Sequence, residues 1–330
     1  MTKNIVGAGS ALMDFLFKTP DNKTLEQFNL PPGSMTLIDA EKSDKIINAA
    51  KHLEMDLAGG GSAGNTINAI AKLGGHCGFI GKIGNDELGE TYKKELIKSN
   101  VNTHLGVENT STGRAITFIT PDSERTFATC LGAATHLSPD DISDDILRQY
   151  DYLYIEGYLV FNEPLIKHLL DRAKALGLKI AMDMASFNVV EESLDFFKKA
   201  LPEYVDILFA NEEEAKAFTG SNDPQVALEI FAQLCDIAVV KVGKKGSWVR
   251  SGKQSLKIEA VDVNAIDTTG AGDAYAAGFM YGIANDLSLQ QCGNLGSLLS
   301  AHTVRGEGAR LPEKTWEEIK PAIRRIIEGK

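Results

Sequence analysis

The heptapeptide Asp267-Thr268-Thr269-Gly270-Ala271-Gly272-Asp273 combines residue types that phosphoryl chemistry needs. Gly270 and Gly272 carry no Cβ, so their main-chain N–H groups can come close to an anion. Ala274-Tyr275-Ala276-Ala277-Gly278-Phe279-Met280 follows, small and apolar at helical spacing, so the turn is expected to open a helix. The unpaired N–H donors of a helix start, and the positive end of its dipole, then face the same point. Asp273, in or near the first turn, brings a carboxylate to a place arranged for phosphate. An anion cradle with a base beside it suits transfer of a phosphoryl group to a hydroxyl. A plainer role stays open from residue types alone, because a first-turn Asp also stabilises the helix dipole with no chemistry involved.

Other stretches carry candidate ligands. Asn4-Ile5-Val6-Gly7-Ala8-Gly9-Ser10-Ala11-Leu12-Met13-Asp14 reads as a first strand ending in a glycine turn, with Asp14 just past the strand's carboxyl end. That is the ligand edge of an open parallel sheet, although a turn Asp has the same signature. Leu12 stands where a dinucleotide fingerprint needs Gly or Ala, and no Gly-x-x-x-x-Gly-Lys-Ser/Thr occurs, so neither nucleotide motif is present. In Ala58-Gly59-Gly60-Gly61-Ser62-Ala63-Gly64-Asn65, glycines precede a helix with apolar positions at Ile67, Ile70, Ala71 and Leu73; close packing alone accounts for these as readily as ligand binding. Asn211-Glu212-Glu213-Glu214 follows a strand and reads as a capping box, Asn211 as N-cap and Glu214 reaching back. Lys241-Val242-Gly243-Lys244-Lys245-Gly246 ends another strand, and lysines in a glycine turn are commonly solvated surface.

The elements that must position these residues alternate. Strands are expected at 152–156, 179–182, 207–210 and 237–242, with helices at 164–176, 195–201 and 224–235. Links this short call for parallel strands covered on both faces. Residues 15–40 contain Pro20 and Pro31-Pro32-Gly33 and lack helical periodicity. Residues 114–120 and 125–129 read as two strands around the turn 121–124. These two regions are expected to form a small β-sheet standing off the main domain. A final amphipathic helix over 316–327 is expected to start or break at Pro321.

Composition limits the partners. With 330 residues, 43% hydrophobic and 24% charged, the chain suits one large α/β domain with an accessory piece. A net charge of −11 argues against broad binding to nucleic acid or anionic membranes. The four cysteines are scattered, which predicts reduced thiols and neither a zinc site nor a disulfide framework. No leader or long apolar stretch is evident, so the cytoplasm is the expected location.

The heptapeptide resembles the C-terminal signature of the ribokinase/PfkB carbohydrate and nucleoside kinases, and residues 58–74 resemble that family's N-terminal signature. The resemblance implies a ribokinase-like α/β fold with a mostly parallel central sheet, helices on both faces and a β lid. The large domain would take 1–14, 41–105 and 131–330, and the lid 15–40 and 106–130. It implies Asp273 as base and the amides of Gly270, Ala271 and Gly272 as the anion hole. It further implies that Asp14, Gly60, Gly61 and Asn65 hold the acceptor's hydroxyls, and that Arg125 descends with the lid onto the transferred phosphate. ATP would lie against Asn211, Lys241, Gly243, Gly246, Thr269 and His302, although His302 by itself reads as structural. Magnesium would be met through water by Asn211 and Glu214. Residues 300–309 resemble one side of a monovalent-cation site found in several members, where an Asp and a Thr like Asp267 and Thr269 join loop carbonyls around potassium. In this family two copies can pair through their lid edges.

The acceptor is read from weaker signs. Residues 121–126, Leu131-Gly132-Ala133-Ala134 and Tyr154-Ile155-Glu156-Gly157-Tyr158-Leu159 resemble the family's adenosine kinases more than its ribokinases. Phe187 matches a place where those kinases present an aromatic ring to the purine, with ordinary core packing as the alternative. The expected reaction is transfer of the γ-phosphoryl of ATP to adenosine. A free-sugar kinase of the ribokinase, fructokinase or keto-deoxy-gluconate kinase type is the second reading, and a non-catalytic ligand sensor the third.

Overall fold

The computed structural model describes residues 2–21, 23–120 and 125–330; the expected turn 121–124 lies outside the described residues. The strands in chain order are β1 (Ile5–Ala8), β2 (Leu12–Lys18), β3 (Met35–Leu37), β4 (Glu54–Gly60), β5 (Cys77–Gly84), β6 (Val101–Glu108) and β7 (Gly113–Ile119). They continue as β8 (Arg125–Cys130), β9 (Tyr152–Glu156), β10 (Lys179–Asp183), β11 (Ile207–Asn211), β12 (Ile237–Lys241), β13 (Ser247–Ser251) and β14 (Gln254–Ile258). Among the described residues they form two sheets. The larger has the order β14-β13-β12-β11-β10-β9-β1-β5-β6, parallel from β12 to β6 and antiparallel at β13 and β14.

Alternate side chains of these strands enter two separate cores, one on each face. Ile5, Tyr154, Phe209 and Val239 point to one; Val6, Leu153, Leu208 and Val240 point to the other. Burial of both faces is what parallel strands with short helical crossovers require. The second sheet has the order β3-β8-β7-β2-β4. It shares the first of the two cores through Phe15, Phe17, Ile116 and Phe118, with the rings of Phe17 and Phe118 stacked at 5.5 Å.

Four expectations change here. Asp14 does not follow the end of the first strand: β1 stops at Ala8, and Asp14 lies inside β2, opposite Ala58 and Ala115 in the small sheet. Glu54–Gly60, assigned to the large domain, is an edge strand of the small sheet. Its first four residues are exposed, so no buried alternation betrays it. Residues 106–108, assigned to the lid, complete β6 of the large sheet. The last helix runs unbroken over Glu313–Ile327 with Pro321 inside it. All four cysteines are free. Among the described residues no helix is long and apolar enough to cross a membrane.

Candidate active site

Helix Ala271–Ala284 begins at Gly270, whose φ of 72° puts it in the left-handed region. A Cβ at Gly270 would stand 2.6 Å from the Cα of Ala309, so the turn needs glycine for conformation and for space. The N–H of Ala271 is already given to the carbonyl of Thr268, at 3.2 Å, whereas those of Gly270 and Gly272 meet no acceptor among the described residues. The N–H groups left open at this turn are therefore those of the two glycines, and Ala271 serves the turn. Over Gly272 the nearest atom to a notional Cβ is Nζ of Lys241, at 3.1 Å. A cation thus stands at the mouth of the cradle.

Asp273 faces the helix Ser62–Lys72. Ser62 Oγ donates to its Oδ1 at 2.7 Å and Asn65 Nδ2 to its Oδ2 at 3.2 Å. Thr66 Oγ1 donates to the Asp273 carbonyl at 3.3 Å. The two glycine-rich stretches, about two hundred residues apart in the chain, meet at this carboxylate. Asp14 arrives from β2 under Gly60, where an added Cβ would lie 2.1 Å from Asp14 Oδ1. Gly61 is the N-cap of helix Ser62–Lys72.

A first-turn carboxylate is expected to be a weak base, yet burial reverses the effect of the dipole. Withdrawal from water, with Asp183 adding to it, pushes Asp273 up to about 7, against its hydrogen bonds and Lys241. Asp14 is likewise pushed up to about 7 by burial, which Asp273 and Glu95 reinforce and Arg310 opposes. Asp273 raises Asp14, and both are pushed to about 7, so the two protons leave in overlapping steps. If both must be charged, acceptor kcat/KM rises with pH through about 7, with a slope above one in the acid limb. Stability moves the opposite way. A folded value raised from the ordinary 3.8 contributes stability that is whole below 3.8 and lost as pH rises through about 7. Thermal melts of the ligand-free protein across pH 5 to 8.5, set beside a rate profile, check both signs.

The last residues of four neighbouring strands line one edge of the large sheet: Glu156, Asp183, Asn211 and Lys241. Lys241 Nζ pairs with Asp183 Oδ2 at 2.8 Å, both side chains nearly out of water. The Asn211 and Glu214 capping box forms as expected. Asn211 Oδ1 accepts from the N–H groups of Glu213 and Glu214, and the Glu214 carboxylate accepts from Asn211 N–H and Nδ2. Glu214 is buried and pushed up to about 7, chiefly by burial and then by Asp183. Glu156 takes N–H bonds from Ser10 and Ala63, tying the turn after β1 and the start of helix Ser62–Lys72 to the same edge.

Asp267 has little left to offer a metal. Its Oδ1 accepts from Thr269 N–H at 2.8 Å and pairs with Arg125 Nε at 2.8 Å, while Oδ2 accepts from Gly308 N–H at 2.6 Å. A guanidinium already neutralises it, so Asp267 and Thr269 as arranged do not fit potassium. Arg125 thus meets Asp267 in this structure. His302 accepts from Arg305 Nη1 at 3.0 Å, and no contact among the described residues links it to the cradle. Gly243 and Gly246 shape a short turn whose Lys244 and Lys245 are solvated, unlike Lys241. Phe187 is not core: it is 42% exposed, just beyond the end of β10.

Sequence reasoning missed Ser62 as a partner of Asp273, and it missed Glu95, Arg310, Asp183 and Glu156. Asp183 and Glu156 end strands, the rule that singled out Asp14, and could have been found. Glu95 lies in the middle of the amphipathic helix Glu87–Lys98 and carries no signal.

A carboxylate over main-chain donors, at the carboxyl edge of a sheet covered on both faces, is the architecture of an α/β phosphotransferase. Residues 33–316 match the pfkB family carbohydrate kinase model, and the chain belongs to that family. It is a kinase of sugars or nucleosides, and the family implies ATP and magnesium. The solved adenosine kinase of Sinorhizobium meliloti is 32% identical, with a TM-score of 0.86, covering 98% of this chain and all of that one. The solved probable sugar kinase of Rhizobium etli CFN 42 is 30% identical, with a TM-score of 0.87, covering 97% and 98%. The ribokinase of Haemophilus influenzae is 28% identical over 274 residues, 79% of this chain and 86% of its own. Nucleoside and sugar kinases stand at similar distances, so the acceptor has to be argued from the site.

Proposed function

We propose that this kinase transfers the γ-phosphoryl of ATP to the primary hydroxyl of a nucleoside, adenosine, with Asp273 as the base. The observation that carries the reaction is the convergence of Ser62 and Asn65 on Asp273 at the mouth of the glycine cradle. Ser62 and Asn65 aim the carboxylate, and its raised affinity for a proton makes it a better acceptor for the hydroxyl hydrogen at neutral pH. The Gly270 and Gly272 N–H groups hold phosphoryl oxygens, and donors of this kind are worth roughly a few kcal/mol each. Lys241, held by Asp183, is placed to turn toward the same oxygens. Asn211 and Glu214 fit a magnesium ion met through its water shell, which supplies charge neutralisation when bound. Among the described residues no cluster of three carboxylate, His or Cys ligands offers direct coordination.

Two observations support the nucleoside. Phe187 and Tyr158, each 42% exposed, offer ring faces beyond the ends of β10 and β9, where a base can stack. Around Asp14 the described charges are Glu95 and Asp273 against Arg310, an excess of carboxylates that disfavours a sugar acid. A neutral free sugar is the second reading, supported by the same hydroxyl-binding carboxylate. A sensor would have no need of a buried carboxylate aimed by two donors beside an anion cradle.

Initial rates with adenosine, inosine, ribose and fructose at fixed ATP and magnesium decide between them. Adenosine is expected to give the highest kcat/KM. An equal or higher value for ribose or fructose replaces the nucleoside by a sugar, and no turnover with any acceptor returns the sensor. Exchanging potassium for sodium in the same assay is expected to leave the rate unchanged, because Arg125 already serves Asp267.

A further inference from the structure

Among the described residues Arg310 is the half-buried cation that bears on Asp14, and neither signature contains it. It follows the loop that closes over Gly270, and its side chain is 17% exposed. Nε donates to Asn65 Oδ1 at 3.1 Å, and Nη1 donates to Glu95 Oε2 at 3.0 Å. The same Glu95 oxygen accepts the N–H of Gly59 at 2.8 Å. Nη2 is buried without an acceptor among the described residues. An arginine kept for stability alone would be poorly arranged, since a donor withdrawn from water with no acceptor is destabilising.

We propose that Arg310 is a positioning residue for the acceptor: its guanidinium aims Asn65, braces the strand above Asp14, and balances the carboxylates that receive the acceptor's hydroxyls. This rests on the kinase reading given above.

The geometry gives each part a cause. An amide side chain can present either end, and the bond from Arg310 Nε to Asn65 Oδ1 leaves Nδ2 to face Asp273. Through Glu95 the guanidinium also holds Gly59, so that Gly60 lies over Asp14 with no room to spare. The charged groups that bear on Asp14 are Arg310 from the loop, Glu95 from helix Glu87–Lys98 and Asp273 from helix Ala271–Ala284. Two are negative, and Arg310 alone opposes them. Without it Asp14 keeps its proton to a higher pH, and a carboxylic acid has less to offer a pair of hydroxyl donors.

The test is the pH dependence of acceptor KM in Arg310→Gln. Adenosine is the probe, or ribose or fructose if the wild type turns those over instead. At pH 7 the acceptor KM is expected to rise about tenfold or more, with kcat within about threefold and the ATP KM unchanged. Much of that loss should return by about pH 9, because Asp14 ionises there even without its partner. Arg310→Lys keeps the charge but not the fork, so it should keep the wild-type pH profile with a smaller rise in KM. It serves as the second variant if Arg310→Gln does not fold. A variant whose KM is raised equally at pH 7 and 9, or whose loss falls equally on kcat and ATP KM, overturns the proposal in favour of a purely structural arginine. So does Arg310→Lys with an acid limb shifted to higher pH. A wild type that phosphorylates no acceptor marks the failure of the kinase reading instead, and the role of Arg310 falls with it.

Discussion

Replacing Asp273 with Asn is expected to lower kcat by roughly 10²–10⁴-fold, the range that a positioned general base contributes. Asn has nearly the shape of Asp, and its two ends can both be satisfied here. Its oxygen can take the bond from Asn65, and its NH₂ can donate to Ser62, whose hydroxyl is free to turn and accept. The acceptor KM should therefore stay within a few-fold, because Asp14 and Asn65 remain in place. Stability at pH 8 should hold or rise, since burial had pushed Asp273 up to about 7 and a neutral amide removes the cost of its charge there. Steady-state kinetics and a melt at pH 8 check these together. Near-normal turnover in a folded Asp273→Asn protein removes Asp273 from the role of base.

Gly270→Ala is expected to be nearly as damaging to turnover and far worse for stability. At a φ of 72° an alanine takes on left-handed strain, about 1–2 kcal/mol. Its Cβ would also lie 2.6 Å from Ala309 Cα and 2.7 Å from its carbonyl oxygen. These are backbone atoms, so the loop has to move, at an overpacking cost of about 1–3 kcal/mol. That loop carries Gly308, whose N–H binds Asp267 at 2.6 Å, and Arg310, so the displacement reaches the acceptor side as well. Turnover should fall by about 10²-fold or more, the loss that follows when one oxyanion donor is misplaced. Gly177→Ala is the control. It has a φ of 79° at a helix C-cap with nothing within 4 Å of a Cβ. It should cost about 1 kcal/mol and leave the rate alone. Equal behaviour of the two variants means that the cradle does not depend on the packing of Gly270 against Ala309.

How legible the site was depended on whether local chemistry demanded the residue. Gly270 was legible because a turn that opens a helix with a positive φ needs glycine locally, and the Asn211 and Glu214 box because capping is a three-residue affair. The strands expected at 152–156, 179–182, 207–210 and 237–242 were legible to within a residue from continuous apolar runs, which strands buried on both faces must have. Glu54–Gly60 was not, since an edge strand with one solvated side shows no such run. Nor was Asp14's true setting. The turn between β1 and β2 moves the chain from one sheet to another with no change of composition.

The sequence by itself pointed to the reaction class through the resemblance of residues 267–273 and 58–74 to the two PfkB signatures, because each lies within one short continuous stretch; residue types alone left a plain helix start open. Only the tertiary structure decided the proton affinities of Asp14 and Asp273, the pairing of Arg125 with Asp267, and the place of Arg310 between Asn65 and Glu95. Those properties depend on distances between groups tens to hundreds of residues apart and on how much water their packing excludes. Neither quantity is carried by residue type or by spacing along the chain.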